Sequence, residues 1–368
     1  MNVPSGARFK AYIIPIISVI LITIILSVFN IVYYTALEED PDIDFERPKM
    51  AFIEEDPDAP GGIALGALLN MLVYVVMVFI GGIIVLIIIK KGFMQLLANF
   101  FALLMGFSWF SLGLFYSDVS FWGFILLFFD FLPEFIQTGL LAFVNWTIKF
   151  STKEIIMYPV TLIIIGLFLG ILGTFSFGIQ SFDRIWIRNI MMIFFGAMVG
   201  SLFAIHFGLL SVFFILVGLS LYDIYAVFRG PLKGIIDHSR EESEEMSEMM
   251  QNNDEFEIKY ERVPLLPALP VYSTRHISIG LGDFAFFSML ISASVVISDG
   301  LGTSIPLFAA LIGLFAGVIY TFKLLTKDRA LPGLPLPIFG GIACLVLSVT
   351  LLLIIGFVDI SAIVSLFV

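Results

Sequence analysis

Along the chain, apolar residues run in blocks of about twenty with few polar interruptions, neither alternating as in a half-buried strand nor confined to one helical face. A block of that length is what an α-helix needs to cross roughly 30 Å of hydrocarbon, so each block predicts a membrane-spanning helix. Cut at charges and turn residues, the blocks are 11–34, 63–89, 94–116, 157–179, 185–205, 208–229, 278–298, 303–324 and 336–358. Between the third and fourth lies an insert, 119–150, apolar but broken by Asp130, Pro133 and Glu134. It predicts a re-entrant hairpin or an interfacial helix pair, with a tenth full crossing as the other possibility. The expected fold is an all-α polytopic membrane protein with nine transmembrane helices and this extra hydrophobic insert.

Composition agrees with the pattern. The 368 residues are 60% hydrophobic and 13% charged, with a mean hydropathy of +1.05, far from the roughly 25% charged residues of soluble domains. The net charge of -11 and the lack of a basic stripe argue against nucleic-acid binding, which needs clustered Lys and Arg. The single cysteine, Cys344, allows neither an intramolecular disulfide nor a thiolate cluster. Arg8 and Lys10 precede an apolar run too long for the core of a cleaved signal peptide, which predicts a retained signal-anchor helix.

Charge between the blocks sets an orientation. Arg8, Lys10, Lys90, Lys91, Arg184, Arg188, Arg229, Lys233, Lys323, Lys327 and Arg329 all fall on one side if nine helices cross, and the positive-inside rule makes that side cytoplasmic. The N-terminus is then cytoplasmic and the C-terminus outside. The acidic loop 38–58 lies outside, where Arg47, Lys49, Lys149 and Lys153 are exceptions. One large cytoplasmic connection, from Gly230 to Arg275, contains "SREESEEMSEMMQNNDEFE", whose charge and scarcity of aromatics predict mobility.

Few carboxylates lie inside apolar blocks, and such residues are candidates for function. Asp359 sits near an outer helix end, and Asp130 and Glu134 flank a helix breaker; both settings read as wet and structural. Asp223 and Asp283 differ. Asp223 precedes Arg229 by six residues, and Asp283 follows Arg275 by eight; at 1.5 Å per residue both lie about 10 Å from the cytoplasmic end of consecutive helices. Neither helix carries a Lys or Arg at that depth. Two level carboxylates in a poorly solvated site cannot both ionise easily and share a proton. That arrangement suits acid–base hydrolysis of a peptide bond, and equally a proton or cation pathway in a transporter.

Three motifs lie around these positions. They are Tyr222-Asp223 in "LYDIYAVFRGPL", Gly280-Leu281-Gly282-Asp283 in "IGLGDFAFF", and Pro332-Gly333-Leu334-Pro335 before the ninth block. In this order, in a polytopic chain, they resemble the presenilin and signal peptide peptidase family of intramembrane aspartyl proteases, and the presenilin branch more closely. The resemblance is clear over blocks 6 to 9. It implies that Asp223 and Asp283 are catalytic and that Tyr222, Gly280, Leu281, Gly282, Pro332, Gly333, Leu334 and Pro335 shape the site. It also implies a catalytic part, 208–368, carrying the connection 230–275, behind a scaffold, 1–207. The substrates implied are transmembrane helices of other proteins or remnant signal peptides, met within the bilayer, with no metal or cofactor; accessory subunits and oligomeric state stay open. The family's third motif is Pro-Ala-Leu, whereas Gly333 occupies its middle here. A literal "PALP" at 267–270 comes before helix 7 and is excluded by order.

Other chemistries fail on inventory. His206, His238 and His276 make no His-Glu-x-x-His and read as loop or interface residues. Gly106-Phe107-Ser108 and Gly200-Ser201 make no nucleophile elbow. The acidic clusters at 38–58 and 241–257 lack calcium-loop spacing, and Asn145-Trp146-Thr147 is a glycosylation signal set in an apolar segment. The stretch 271–279, "VYSTRHISI", leans towards β structure and predicts an edge for adding a substrate strand, flanked by 331–337. A transporter remains the alternative from another class, although inverted repeats with helix breaks in both halves are not found. A catalytically silent relative is the third.

Overall fold

In the computed structural model, the described residues are 5–38, 62–128, 157–178, 185–230, 271–273, 278–325 and 332–366. They form α1 (Ser5–Glu38), α2 (Gly62–Lys90), α3 (Met94–Phe128), α4 (Met157–Gly178), α5 (Ile185–His206), α6 (Leu209–Phe228), β1 (Val271–Ser273), β2 (Ser278–Gly280), α7 (Leu281–Gly300), α8 (Ile305–Leu325), α9 (Pro335–Ile354) and the short α10 (Ile360–Ser365). Eight of these helices are long and apolar enough to cross a membrane; α4 contributes a shorter apolar stretch, Leu162–Ser176. The acidic loops, Asp130, Glu134, Asn145, His238, His276 and the 267–270 stretch lie outside the described residues.

Three boundaries differ from those expected. Helix α3 does not stop near residue 116 but continues through the start of the insert to Phe128. The polar residues that cut the block are satisfied inside the fold: Ser117 Oγ donates to the Gly113 carbonyl at 2.5 Å, and the Tyr33 hydroxyl donates to Asp118 at 2.8 Å. Residues 278–280 are not the first turn of α7 but strand β2, antiparallel to β1 with Val271 opposite Gly280 and Ser273 opposite Ser278, so a small sheet modifies the all-helical expectation. Helix α9 ends at Ile354, and Asp359 is the N-cap residue of α10 rather than part of α9.

Helix α7 lies at the centre, packed on by α1, α5, α6, α8 and α9. Lipid is as apolar as leucine, so helices associate in it through close packing and interhelical hydrogen bonds rather than hydrophobicity. Both devices are present. Glycines four apart bring three helix pairs together. Gly166 and Gly170 of α4 meet α3, Gly313 and Gly317 of α8 meet α9, and Gly196 and Gly200 of α5 meet α7, where a Cβ on Gly196 would stand 2.5 Å from that of Phe284. On its other side α7 bonds to α1 through two rungs, Thr23 to Ser288 at 2.9 Å and Ser27 to Ser292 at 2.8 Å. All four of these hydroxyl side chains are fully buried. The α7 helix closes on Gly302, at φ +62°, with the Thr303 N–H on the Ser298 carbonyl at 2.9 Å.

Candidate active site

The site forms where α6, α7 and the turn before α9 meet. Asp223 lies on α6, five residues before the helix ends, and Asp283 lies in the first turn of α7. Strand β2 runs straight into α7, with Gly280 as the N-cap residue in extended conformation, which places Asp283 at the third helical position. From there its carboxylate reaches back to the Gly280 N–H, the reciprocal half of a capping box. The helix N-terminus also offers its positive dipole end to that carboxylate. A costly charge in an apolar block is thus seated where backbone groups can receive it.

The third motif touches both aspartates. Leu334 donates its N–H to Asp223 Oδ2 at 3.1 Å, and the Gly333 N–H makes a second contact with the same carboxylate. Gly333 also faces Asp283: a Cβ built on it would lie 3.1 Å from Asp283 Oδ2 and 3.5 Å from Oδ1. One dipeptide therefore bonds to one carboxylate and abuts the other. Among the described residues no ion pair accompanies either aspartate, and no cluster of three metal-ligating side chains is found.

The remaining sequence-named residues divide. Pro335 is buried at the first position of α9, where a proline lacks no needed N–H, and Pro332 leads into the same turn. Leu281 packs towards the α3–α5 cluster. Gly282 is not crowded; a Cβ there would meet Phe286 at 3.5 Å, an ordinary contact. Tyr222 turns towards α2, its ring edge-on to Phe79 at 6.3 Å, so it flanks Asp223 instead of joining the pair. His206 lies elsewhere, at the α1–α5 interface, bonded to the Tyr34 hydroxyl and the Leu202 carbonyl, each at 2.8 Å.

Two contributors escaped the sequence reading. Tyr12 of α1, 7% exposed, lies within electrostatic reach of Asp283 and packs on Phe322 with ring centroids 5.4 Å apart. A tyrosine in an apolar block carries no signal by itself. Tyr272 of β1 meets Phe284 edge-on at 5.7 Å, and its partial burial pushes the phenol above its ordinary value.

These helices and this site define an integral, multi-pass membrane protein with a carboxylate pair closed by a proline-flanked turn. The Presenilin family model matches residues 7–263, more than half of the chain, and the chain belongs to the presenilin family. That match includes Asp223 and ends before Asp283. Presenilin-B of Dictyostelium discoideum is 30% identical over 190 residues, 49% of this chain, and the aligned part spans 33% of that relative's length. A solved structure of a presenilin family intramembrane aspartate protease is similar over 92% of this chain and 99% of its own, with 16% identity and a TM-score of 0.46.

Proposed function

We propose that this protein is an intramembrane aspartic-type endopeptidase that hydrolyses peptide bonds within transmembrane helices of other membrane proteins or remnant signal peptides, with Asp223 and Asp283 as its acid–base pair. The observation that carries the reading is the shared contact. Leu334 bonds to Asp223 while Gly333 abuts Asp283, so both carboxylates converge on one turn. Membership of the presenilin family supports the same activity.

Asp223, accepting backbone N–H groups, serves as the base. It takes a proton from water as the water oxygen bonds to the scissile carbonyl carbon. Asp283 supplies the proton to the carbonyl oxygen, giving a neutral tetrahedral diol. Collapse of the diol breaks the C–N bond, the nitrogen takes a proton from the pair, and the two carboxyls return to their shared-proton state. No covalent enzyme intermediate forms, and no metal or cofactor enters.

A substrate helix hides its amides in i to i−4 hydrogen bonds, so it must open before hydrolysis. The β1–β2 pair has only two strands among the described residues, leaving an outer edge on which an opened segment can pair. That edge leads directly into Asp283. The topology proposed is nine crossings with the N-terminus cytoplasmic and the C-terminus outside, and water reaching the pair from the cytoplasmic half. The division proposed is a scaffold, 1–207, and a catalytic part, 208–368. Tyr222, Gly280, Leu281, Gly282, Pro332, Gly333, Leu334 and Pro335 shape the cleft.

Purified protein reconstituted in lipid with a tagged transmembrane substrate tests this reading. Wild type cleaves, and Asp223→Ala and Asp283→Ala each abolish cleavage. Persistent cleavage in either variant refutes the pair, and aspartate-dependent ion flux without cleavage gives the site to a transporter.

A further inference from the structure

Most buried helical hydroxyls among the described residues spend their hydrogen bonds. Ser294 donates to the carbonyl four residues back at 2.7 Å, Thr23 and Ser27 reach across to α7, and Ser348 bonds to Leu345 at 2.7 Å. Ser220 does not. Its side chain is 1% exposed, and among the described residues its Oγ has no hydrogen-bond partner, although the Leu216 carbonyl stands in the usual position one turn earlier. An enclosed hydroxyl left unpaired is costlier than an alanine at the same place.

The location of this donor is informative. Ser220 precedes Asp223 by three residues on α6, so both project from one helix face, about 4.5 Å apart along the axis. Gly218, by contrast, faces Met71 and Val75 of α2, two residues and more than half a turn away from Ser220. Asp223 meets the third motif through Oδ2, which accepts the Leu334 N–H at 3.1 Å. An ionised carboxylate offers about four acceptor positions, so acceptor capacity remains on Asp223. Thr321, also buried and unpaired, lies on α8 and shares no element with either aspartate.

We propose that Ser220 is a positioning residue for Asp223: its hydroxyl donates to the Asp223 carboxylate during turnover, holding the carboxylate in line as the base while the third motif secures its other side. The inference rests on the aspartic endopeptidase reading. The O–H bond stays intact throughout; only a hydrogen bond forms, and Ser220 neither attacks nor loses its proton.

The test compares wild type, Ser220→Ala and Ser220→Thr in the reconstituted cleavage assay, alongside Asp223→Asn. Ser220→Ala is expected to lower kcat about tenfold, the scale of one hydrogen bond to a charged group, with KM unchanged and with a thermal midpoint equal to or above wild type, because no protein contact is lost. Ser220→Thr keeps the hydroxyl and restores kcat to within about threefold of wild type. The proposal is overturned if Ser220→Ala cleaves within twofold of wild type, if its loss appears in KM or thermal midpoint instead of kcat, or if Ser220→Thr is as slow as Ser220→Ala. Failure of the endopeptidase reading looks different, because wild type itself then leaves the substrate uncut, or Asp223→Asn cleaves as wild type does.

Discussion

Helices α2 and α7 show opposite uses of an apolar sequence. Helix α2 is 29 residues long and carries hardly a polar side chain between Gly62 and Ile89, with Asn70 and Tyr74 as its exceptions. Only 6% of its apolar stretch is covered by the rest of the protein. Helix α7 is 20 residues long and has serines at 288, 292, 294 and 298 with Asp283 in its first turn, yet 67% of its stretch is covered. In water the more apolar helix would be the buried one. Lipid reverses the inference: a side chain facing hydrocarbon must be apolar, whereas a helix surrounded by protein can carry hydroxyls and carboxylates that find partners there. Polar residues mark the centre of this molecule, and unbroken hydrophobicity marks its rim.

Substitutions at matched positions sharpen the contrast. The largest effect on cleavage is expected at the end of α7 that carries Asp283. Gly333→Val places branched carbons where even a Cβ would stand 3.1 Å from Asp283 Oδ2, and cleavage of the reconstituted substrate should fall about 100-fold or more, with the thermal midpoint little changed. A glycine-to-leucine exchange then separates the two helices by stability. At Gly200 a side chain collides with Ser288 and the Ala285 carbonyl of α7, whereas Gly81 of α2 has nothing within 4 Å. Gly200→Leu should cost about 3 kcal/mol or more, seen as a loss of several degrees in thermal midpoint, and Gly81→Leu should leave the midpoint within about 1 °C of wild type. Equal midpoints for the two would break the comparison.

Smaller effects follow along the α1–α7 rungs. Ser27→Ala leaves the buried Ser292 hydroxyl without its 2.8 Å partner, at a cost of about 1 kcal/mol, and the Ser27→Ala/Ser292→Ala double variant should recover part of that loss because both polar groups are then gone. A thermal-denaturation cycle in detergent gives the coupling; simple additivity would mean the rung contributes nothing. The smallest effect is expected on the rim. Leu72 of α2 is 53% exposed, and Leu72→Ala should stay within about 0.5 kcal/mol of wild type in the same measurement.

Legibility in the sequence followed the reach of each interaction. The spanning helices were readable because about twenty apolar residues in a row satisfy a requirement of the bilayer and need no knowledge of a partner. Asp223 and Asp283 stood out for the same reason, as charges out of place in such runs. The extension of α3 to Phe128 was not readable, since the residues that seemed to end it, Ser117 and Asp118, are satisfied by Gly113 and by Tyr33 of another helix. The β1–β2 pair was legible in the β-leaning stretch 271–279, whereas the point where β2 gives way to α7 was not, because Ser278 and Ile279 also fit the start of an apolar helical block.

The chain by itself marked the apolar segments that seek the membrane, the carboxylates set into them, and the short motifs that accompany those carboxylates, because these depend on local composition, order and spacing. Tertiary structure alone decided that Gly333 and Leu334 close on both aspartates, and that Ser220 is enclosed with its hydroxyl unspent among the described residues. Those facts depend on distances between segments up to about a hundred residues apart, set by helix packing through Gly196, Gly200 and the serine rungs, and no periodicity in one segment encodes the depth at which another will meet it.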